Sequence, residues 1–286
     1  YRVVVTSPQS RGVFWMIVSC IAFGSMWVMI RYASREVHSF EIVFFRNAIG
    51  AVVLLPMMLL NKGLIRFERL TANLRRATSG FVATMGTFYA VAHAPLATAL
   101  SINYTAPLFA TAGAVLFLGE KVKMRRWTAV AIGFAGMLVV VRPGIVDANY
   151  GTWAMLAAVP LIAGSNLVAK AVSSRDSPAV VVFWQTMIAT VAFTPFGIWL
   201  WHTPTLAQLA LFLSAGAFGT VGYFLLTWAF RLLDISAIQP ITFLGIVWAA
   251  VMDVAVWGKT SDIWTFVGAA IIVGSTSYIA HREARA

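Results

Sequence analysis

Ten stretches of about twenty mostly apolar residues follow one another along this chain, separated by short polar connections. The hydrocarbon core of a bilayer requires roughly 20 such residues per helical crossing. Because the stretches are continuously apolar and do not alternate, they indicate helices and not the strands of a β-barrel. The sequence therefore predicts an all-α polytopic membrane protein with ten transmembrane helices, at residues 12–33, 38–60, 77–93, 97–118, 125–142, 151–172, 178–200, 207–229, 235–257 and 263–280.

The composition excludes an ordinary soluble domain. Hydrophobic residues make up 60% of the 286 positions and charged residues only 11%, whereas soluble domains carry about 25% charged residues. The single cysteine, Cys20, provides neither a disulfide framework nor a thiolate metal site. We therefore expect the lipid bilayer to be the main environment of the chain.

The basic residues predict the orientation of the chain. If the N-terminus is cytoplasmic, sixteen of the 21 Lys and Arg residues lie on the inner side, four lie on the outer side and Arg46 lies within the second stretch. Short cytoplasmic loops are enriched in Lys and Arg. We therefore predict a multi-pass membrane protein with both termini in the cytoplasm. The net charge of +11 is explained in this way without a nucleic-acid partner.

The two halves of the chain resemble each other. The fourth and fifth stretches and the ninth and tenth stretches each have a proline in the first helix, a Gly-containing hairpin and then a helix with small residues near its far end. Five crossings per repeat force the second copy to insert upside down, as in many secondary carriers. The chain is thus predicted to consist of two inverted five-helix repeats, at residues 1–146 and 147–286.

Four segments, taken in order, resemble the EamA type of the drug/metabolite transporter superfamily. These segments are HSFEIVFFRNAIG, PLATALSINYTAPLF, FLGEKVKMRRWTAVAIGFAG and WTFVGAAIIVG. The resemblance spans the whole chain and implies a ten-helix carrier of the bacterial inner membrane that moves small metabolites by alternating access, often outward. Bacterial amino-acid exporters of the YddG kind are similar proteins. One departure concerns the second hairpin, where Lys259 follows Gly258 in place of the usual acidic residue.

Uncharged polar and aromatic residues inside the stretches are the candidates for substrate contact, because polar groups in hydrocarbon are costly. Inverted repeats place their substrate site near the midplane, beside interrupted helices. The alternative for each residue is a hydrogen bond between helices without contact to a ligand. The candidate substrate-binding residues are Trp27, Tyr89, His93, Asn103, Tyr104, Asn166, Gln185, Tyr223, Trp228 and Gln239.

A second group of residues is predicted to have structural roles. Arg46 follows Glu41 by five residues, a spacing that does not place the two side chains on one helical face, so we predict that Arg46 is anchored to neighbouring carbonyls or at the outer rim. Lys170 is expected to reach water at the inner end of its stretch. The predicted structural residues are Glu41, Arg46, Pro107, Glu120, Pro160 and Pro240.

The motifs favour transport over catalysis. The sequence contains no GxxxxGK[ST] phosphate loop, HExxH or GxSxG pattern, and we expect no enzyme activity, cofactor, metal or obligate protein partner. The favoured function is export of small metabolites, in particular amino acids including aromatic ones. Uptake of a nucleoside-like or S-adenosylmethionine-like solute and a non-transporting membrane subunit are the alternatives. Few carboxylates lie within the stretches, so transport is predicted to be uncoupled or weakly proton-linked.

Overall fold

The computed structural model describes residues 8–33, 36–60, 70–93, 102–141, 150–173, 176–257 and 263–283. The helices in these ranges are α1 (Pro8–Ala33), α2 (Ser39–Leu60), α3 (Leu70–His93), α4 (Ala106–Leu118), α5 (Met124–Val141), α6 (Tyr150–Ser173), α7 (Pro178–Trp199), α8 (Leu206–Leu232), α9 (Ile235–Thr242), α10 (Leu244–Trp257) and α11 (Ile263–Glu283). Because α9 and α10 together form the ninth crossing, the described helices account for ten crossings.

Helix ends coincide with capping residues. The N–H of Val180 donates to Ser177 Oγ at the start of α7. Thr205 and Gln208 form a capping box at the start of α8, in which each side chain accepts from the other residue's backbone N–H. Gly119 ends α4 with φ 67°, a left-handed conformation that glycine adopts without a steric penalty. These signals are local, so the short sequence around each turn determines where the helix ends.

Five of the described helices are long and apolar enough by themselves to cross a bilayer. The described parts of the fourth and tenth crossings include shorter apolar helices, at Ala106–Leu118 and Phe266–Tyr278. Together with the repeated five-crossing architecture, these helices confirm the predicted polytopic all-α fold. The five long spans are Pro8–Ile30, Phe40–Leu60, Tyr150–Ser173, Pro178–Trp199 and Leu206–Leu232.

The helices pack in a pattern that relates the two repeats. α1 packs along α8, and α3 packs along α6, so the first crossing of each repeat lies against the third crossing of the other. The second crossings α2 and α7 pack on each other, as do the fifth crossings α5 and α11. The apolar core consequently lies between the repeats. The predicted border at residues 146 and 147 falls outside the described residues.

Two crossings differ most from their predicted bounds. α3 begins at Leu70 and not near residue 77, because residues 70–76 contain neither proline nor glycine and continue the helix into the polar connection. The ninth crossing, predicted as one helix over 235–257, is divided at Phe243 into α9 and α10, although Phe243 keeps right-handed helical backbone angles. Pro240 lies inside α9, three residues before this division, and removes one N–H group from the helical hydrogen bonds.

Candidate functional site

Both the fourth and the ninth crossings are interrupted near an amide side chain and a proline. In the fourth, a turn at residues 104–105 follows Asn103, and α4 resumes with Pro107 in its first turn. In the ninth, Gln239 and Pro240 lie in the last turn of α9 before the interruption. Helix breaks of this kind free backbone groups and commonly flank the substrate site of inverted-repeat carriers.

Side chains satisfy the backbone carbonyls next to the ninth break. Thr242 Oγ1 donates to the Gln239 carbonyl at 2.6 Å. Thr276 Oγ1, on α11, donates to the Pro240 carbonyl at 3.1 Å. Each hydroxyl group thus gives a carbonyl beside the break a hydrogen-bond partner, which lowers the cost of that polar group in a membrane interior.

Helix α1 contacts the same break. Cys20 Sγ donates to the Ile241 carbonyl at 3.4 Å, so this buried cysteine carries a polar contact between α1 and α9. Trp248 Nε1 donates to Ser25 Oγ at 3.0 Å, and a Cβ on Gly24 would lie only 2.5 Å from Trp248 Cδ1. Trp248 was not among the candidate residues, although its position well inside a crossing, away from the interfacial belts, could have indicated a role in packing or binding.

An aromatic contact joins the two breaks. The ring centroids of Tyr104 and Phe243 lie 6.4 Å apart. Gly133 of α5 allows this approach, because a Cβ there would lie 2.7 Å from Phe243 Cδ2. Gln239 is 4% exposed and Asn103 is partly buried. The ring contact therefore places Tyr104 of the fourth crossing beside the break in the ninth.

Two other candidates lie against different partners. Tyr223 packs edge-to-face on Phe23 of α1, with ring centroids 4.8 Å apart. Trp228 lies beneath the guanidinium of Arg231, whose Cζ is 5.3 Å from the ring centroid. Each ring therefore packs on another residue of the protein. These two contacts do not involve the residues at the helix breaks.

The remaining candidates lie on helices other than the two interrupted crossings and differ in their exposure. The side chains of Trp27 and Tyr89 are 51% and 44% exposed. Asn166 of α6 and Gln185 of α7 are partly buried. The side chain of His93 lies outside the described residues. The convergence of all the lining residues on one cavity stays a prediction.

Glu120, in the hairpin between α4 and α5, caps the start of α9. Its carboxylate accepts from the backbone N–H groups of Ile235 at 2.8 Å and Ser236 at 3.2 Å. The hydroxyl of Ser236 donates to the same carboxylate at 2.8 Å. A carboxylate at a helix N-terminus satisfies free N–H groups and complements the helix dipole. The first repeat thus holds the beginning of the interrupted crossing of the second.

Two cations extend this contact at the end of the molecule predicted to be cytoplasmic. Arg126 donates to Asp234 Oδ2 at 2.9 Å and to the Ser236 hydroxyl at 2.8 Å. Lys170 Nζ donates to the backbone carbonyls of Phe230 and Leu233 at the end of α8. Lys170 therefore binds the end of a helix, where an interaction with water was expected. We call Glu120, Arg126, Lys170, Asp234 and Ser236 the inner latch.

The other predicted structural residues have separate surroundings. Glu41 is 1% exposed, and its Oε1 accepts from the backbone N–H of His202 at 3.2 Å. The guanidinium of Arg46 contacts Met26 Sδ and Asn47 Oδ1. Pro160 lies on an exposed part of α6, which continues through it.

Comparisons with known proteins agree with this architecture. The model of the EamA-like transporter family matches residues 10–142 and again 149–280. An S-adenosylmethionine uptake transporter of Rickettsia bellii is 30% identical, with 97% of this chain and 96% of that protein covered. A pseudopaline exporter of Pseudomonas aeruginosa is 27% identical, with 94% and 96% covered.

A solved structure supports the same fold. It aligns with a TM-score of 0.82 over 94% of this chain and 98% of its own, at 17% sequence identity. At that identity the likeness concerns the fold alone, whereas the family model matches both halves of the sequence. The chain belongs to the EamA-like transporter family and is a multi-pass membrane protein built from two copies of the family's five-helix unit.

Proposed function

We propose that this protein takes up S-adenosylmethionine, or a nucleoside-like solute with similar chemical groups, by alternating access. The observation that carries the proposal is the 30% identity to the Rickettsia bellii uptake transporter, which extends over nearly the full length of both chains. This evidence favours the alternative that the sequence analysis left open over the export of amino acids. Family membership by itself leaves the substrate open.

The chemistry of the two breaks is compatible with such a solute. S-adenosylmethionine carries an adenine ring, a sulfonium cation and an amino-acid group. Aromatic rings such as those of Tyr104 and Phe243 can stack on the adenine and attract the cation through their faces. The amides of Asn103 and Gln239 each offer donors and an acceptor. Together these groups can bind a polar, cationic solute, although none of them carries a fixed negative charge.

The inner latch supports an alternating mechanism. Its hydrogen bonds tie the hairpin between α4 and α5 in the first repeat to the turn between α8 and α9 in the second. A carrier that opens toward the predicted cytoplasmic side must separate the repeats there. The latch would then break in each transport cycle and re-form when that side closes.

Export is the second candidate function. The Pseudomonas aeruginosa relative, a pseudopaline exporter, matches this chain over a similar length at 27% identity. Carriers of the same architecture can therefore operate in either direction. Export of an amino-acid-derived metabolite would use the same breaks and latch, with the solute loaded from the cytoplasmic side.

Proteoliposomes that contain only this protein test the proposal. We expect saturable uptake of radiolabelled S-adenosylmethionine, which unlabelled nucleosides inhibit more strongly than free amino acids do. Liposomes without protein provide the background, and Trp264→Ala, an exposed residue at the start of α11, provides a matched variant with intact substrate affinity. If the proteoliposomes take up a radiolabelled amino acid and no radiolabelled S-adenosylmethionine, the substrate class is wrong. If no solute moves, the protein is not a carrier by itself.

A further inference from the structure

Arg46 is a cation inside a membrane-spanning helix. It lies seven residues after the first residue of α2, or about 10 Å along the helix at 1.5 Å per residue. A charged side chain at such a position is costly and is usually paired or functional. The partners of its guanidinium group therefore indicate what it does.

The partners seen in the structure use little of the capacity of Arg46. Nη1 contacts Met26 Sδ at 3.3 Å, and Nη2 contacts Asn47 Oδ1 at 3.5 Å. A thioether is a weak acceptor, a guanidinium has five N–H donors, and a 3.5 Å contact lies beyond the usual hydrogen-bond range. Among the described residues, no carboxylate forms an ion pair with Arg46.

Arg46 is only partly buried. Within the described residues, Glu41 Oε2 is the completely buried side-chain oxygen or nitrogen without a hydrogen-bond partner, so Nε of Arg46, for which the structure gives no hydrogen bond, keeps some exposure. The neighbouring surfaces are tightly packed: Met26 is 2% exposed, and a Cβ on Gly219 of α8 would lie 2.9 Å from Met26 Sδ and 3.6 Å from Arg46 Cδ. The guanidinium group of Arg46 is thus held between α1, α2 and α8, and some of its N–H groups make no hydrogen bond to the described residues.

We propose that Arg46 binds the carboxylate of the transported solute. The planar guanidinium matches a carboxylate through two parallel N–H···O bonds, which a lysine cannot reproduce. The inference rests on the proposed function in one respect, because S-adenosylmethionine supplies this carboxylate on its amino-acid group. Arg46 would then select carboxylate-bearing solutes, and the aromatic and amide groups at the breaks would hold the rest of the molecule.

Two ligands that differ only in the carboxylate test the proposal. Binding of S-adenosylmethionine and of its decarboxylated form is measured on the purified full chain in proteoliposomes. We expect the wild-type protein to prefer the carboxylate form. Arg46→Met should weaken binding of that form about tenfold to a hundredfold, the range for lost charge-assisted hydrogen bonds, and change binding of the decarboxylated form by less than about twofold, a shift within the few tenths of a kcal/mol typical of structural relaxation.

Two further variants complete the design. Arg46→Lys keeps the charge without the planar fork, so its preference should fall between those of the wild type and Arg46→Met. Arg125→Met, at an exposed position on α5, is the matched control and should behave as wild type. If Arg46→Met does not fold, as judged by size-exclusion chromatography and helix content, the lysine variant must still show a reduced preference. A preference that persists in the folded Arg46 variants, or that the wild type lacks, overturns the proposal.

Failure of the proposed function gives a different result. If the wild type neither binds nor transports S-adenosylmethionine, thermal stabilisation is measured with a panel of amino acids and their amides. Stabilisation by the carboxylates that the amides do not give, and that disappears in Arg46→Met, supports the role of Arg46 with another substrate. A panel in which no carboxylate stabilises the wild type over its amide overturns it.

Discussion

Tyr104 and Phe243 lie with ring centroids 6.4 Å apart and join the interruptions of the fourth and ninth crossings. Each residue comes from a different repeat, so this contact spans the interface at which inverted-repeat carriers bind their substrates. It provides a specific starting point for testing where the solute binds.

Replacing the Tyr104 ring should weaken transport more than removing its hydroxyl group. An aromatic pair contributes about 0.5–1.5 kcal/mol beyond its buried area. We therefore expect Tyr104→Ala to weaken the apparent affinity for substrate roughly twofold to tenfold, and Tyr104→Phe to have a smaller effect. Initial uptake rates over a range of substrate concentrations measure both. Equal loss in the two variants would show that the hydroxyl group, and not the ring, is required.

The amides at the two breaks are predicted to contact the solute. Loss of one neutral hydrogen bond costs about 0.5–1.5 kcal/mol, so Asn103→Ala or Gln239→Ala should weaken apparent affinity roughly twofold to tenfold with normal expression. Uptake kinetics in proteoliposomes check this, with Trp264→Ala as the control. Unchanged kinetics in both folded variants would place the substrate elsewhere and leave the amides as contacts between helices.

Glu120 should contribute to stability through α9. Removing its carboxylate in Glu120→Ala leaves the N–H groups of Ile235 and Ser236 without their acceptor, which should cost about 1–3 kcal/mol. A lowered melting temperature in detergent measures the effect, and Lys121→Ala, exposed in the same hairpin, is the control. In a double-mutant cycle with Ser236→Ala the effects should be non-additive. Additive effects would contradict a direct contact.

The orientation prediction can be tested with introduced cysteines. Residue 69 is predicted to lie in the cytoplasm and residue 147 outside, on the basis of the loop charges. An impermeant thiol reagent applied to intact cells should label Asp147→Cys and leave Arg69→Cys unlabelled. The native Cys20 is buried and should give little background. The opposite labelling pattern would reverse the topology.

Transport is predicted to be uncoupled or only weakly proton-linked. We expect that an imposed pH difference across proteoliposomes does not drive accumulation of substrate against its gradient. Accumulation would contradict this prediction. Glu41→Gln and His93→Gln would then show whether either group is required, because intramembrane carboxylates and histidines are the usual proton carriers. Of these two residues, Glu41 is the first to test, because its side chain is almost completely buried within a membrane-spanning helix.

The sequence alone determined the class of the protein. Apolar length, loop charge and the order of helices and hairpins are local, one-dimensional properties, and a bilayer imposes a fixed thickness on them. They were sufficient for an all-α membrane protein of two inverted repeats. The ends of individual helices were less accurate, as the early start of α3 at Leu70 shows, because polar residues can continue a helix beyond its apolar part.

Tertiary structure decided which distant residues meet. Glu120 and Ile235 are 115 residues apart, and no local pattern indicates that one caps the helix that begins at the other. Lys170 could have reached water, but the packing of α6 beside the end of α8 gives its ammonium two backbone carbonyls. Arg46 was predicted to be anchored to neighbouring carbonyls or at the outer rim, and only the structure identifies its contacts as the thioether of Met26 and the side-chain amide oxygen of Asn47. These outcomes depend on how helices from the two repeats pack, and the spacing of residues within one helix does not contain that information.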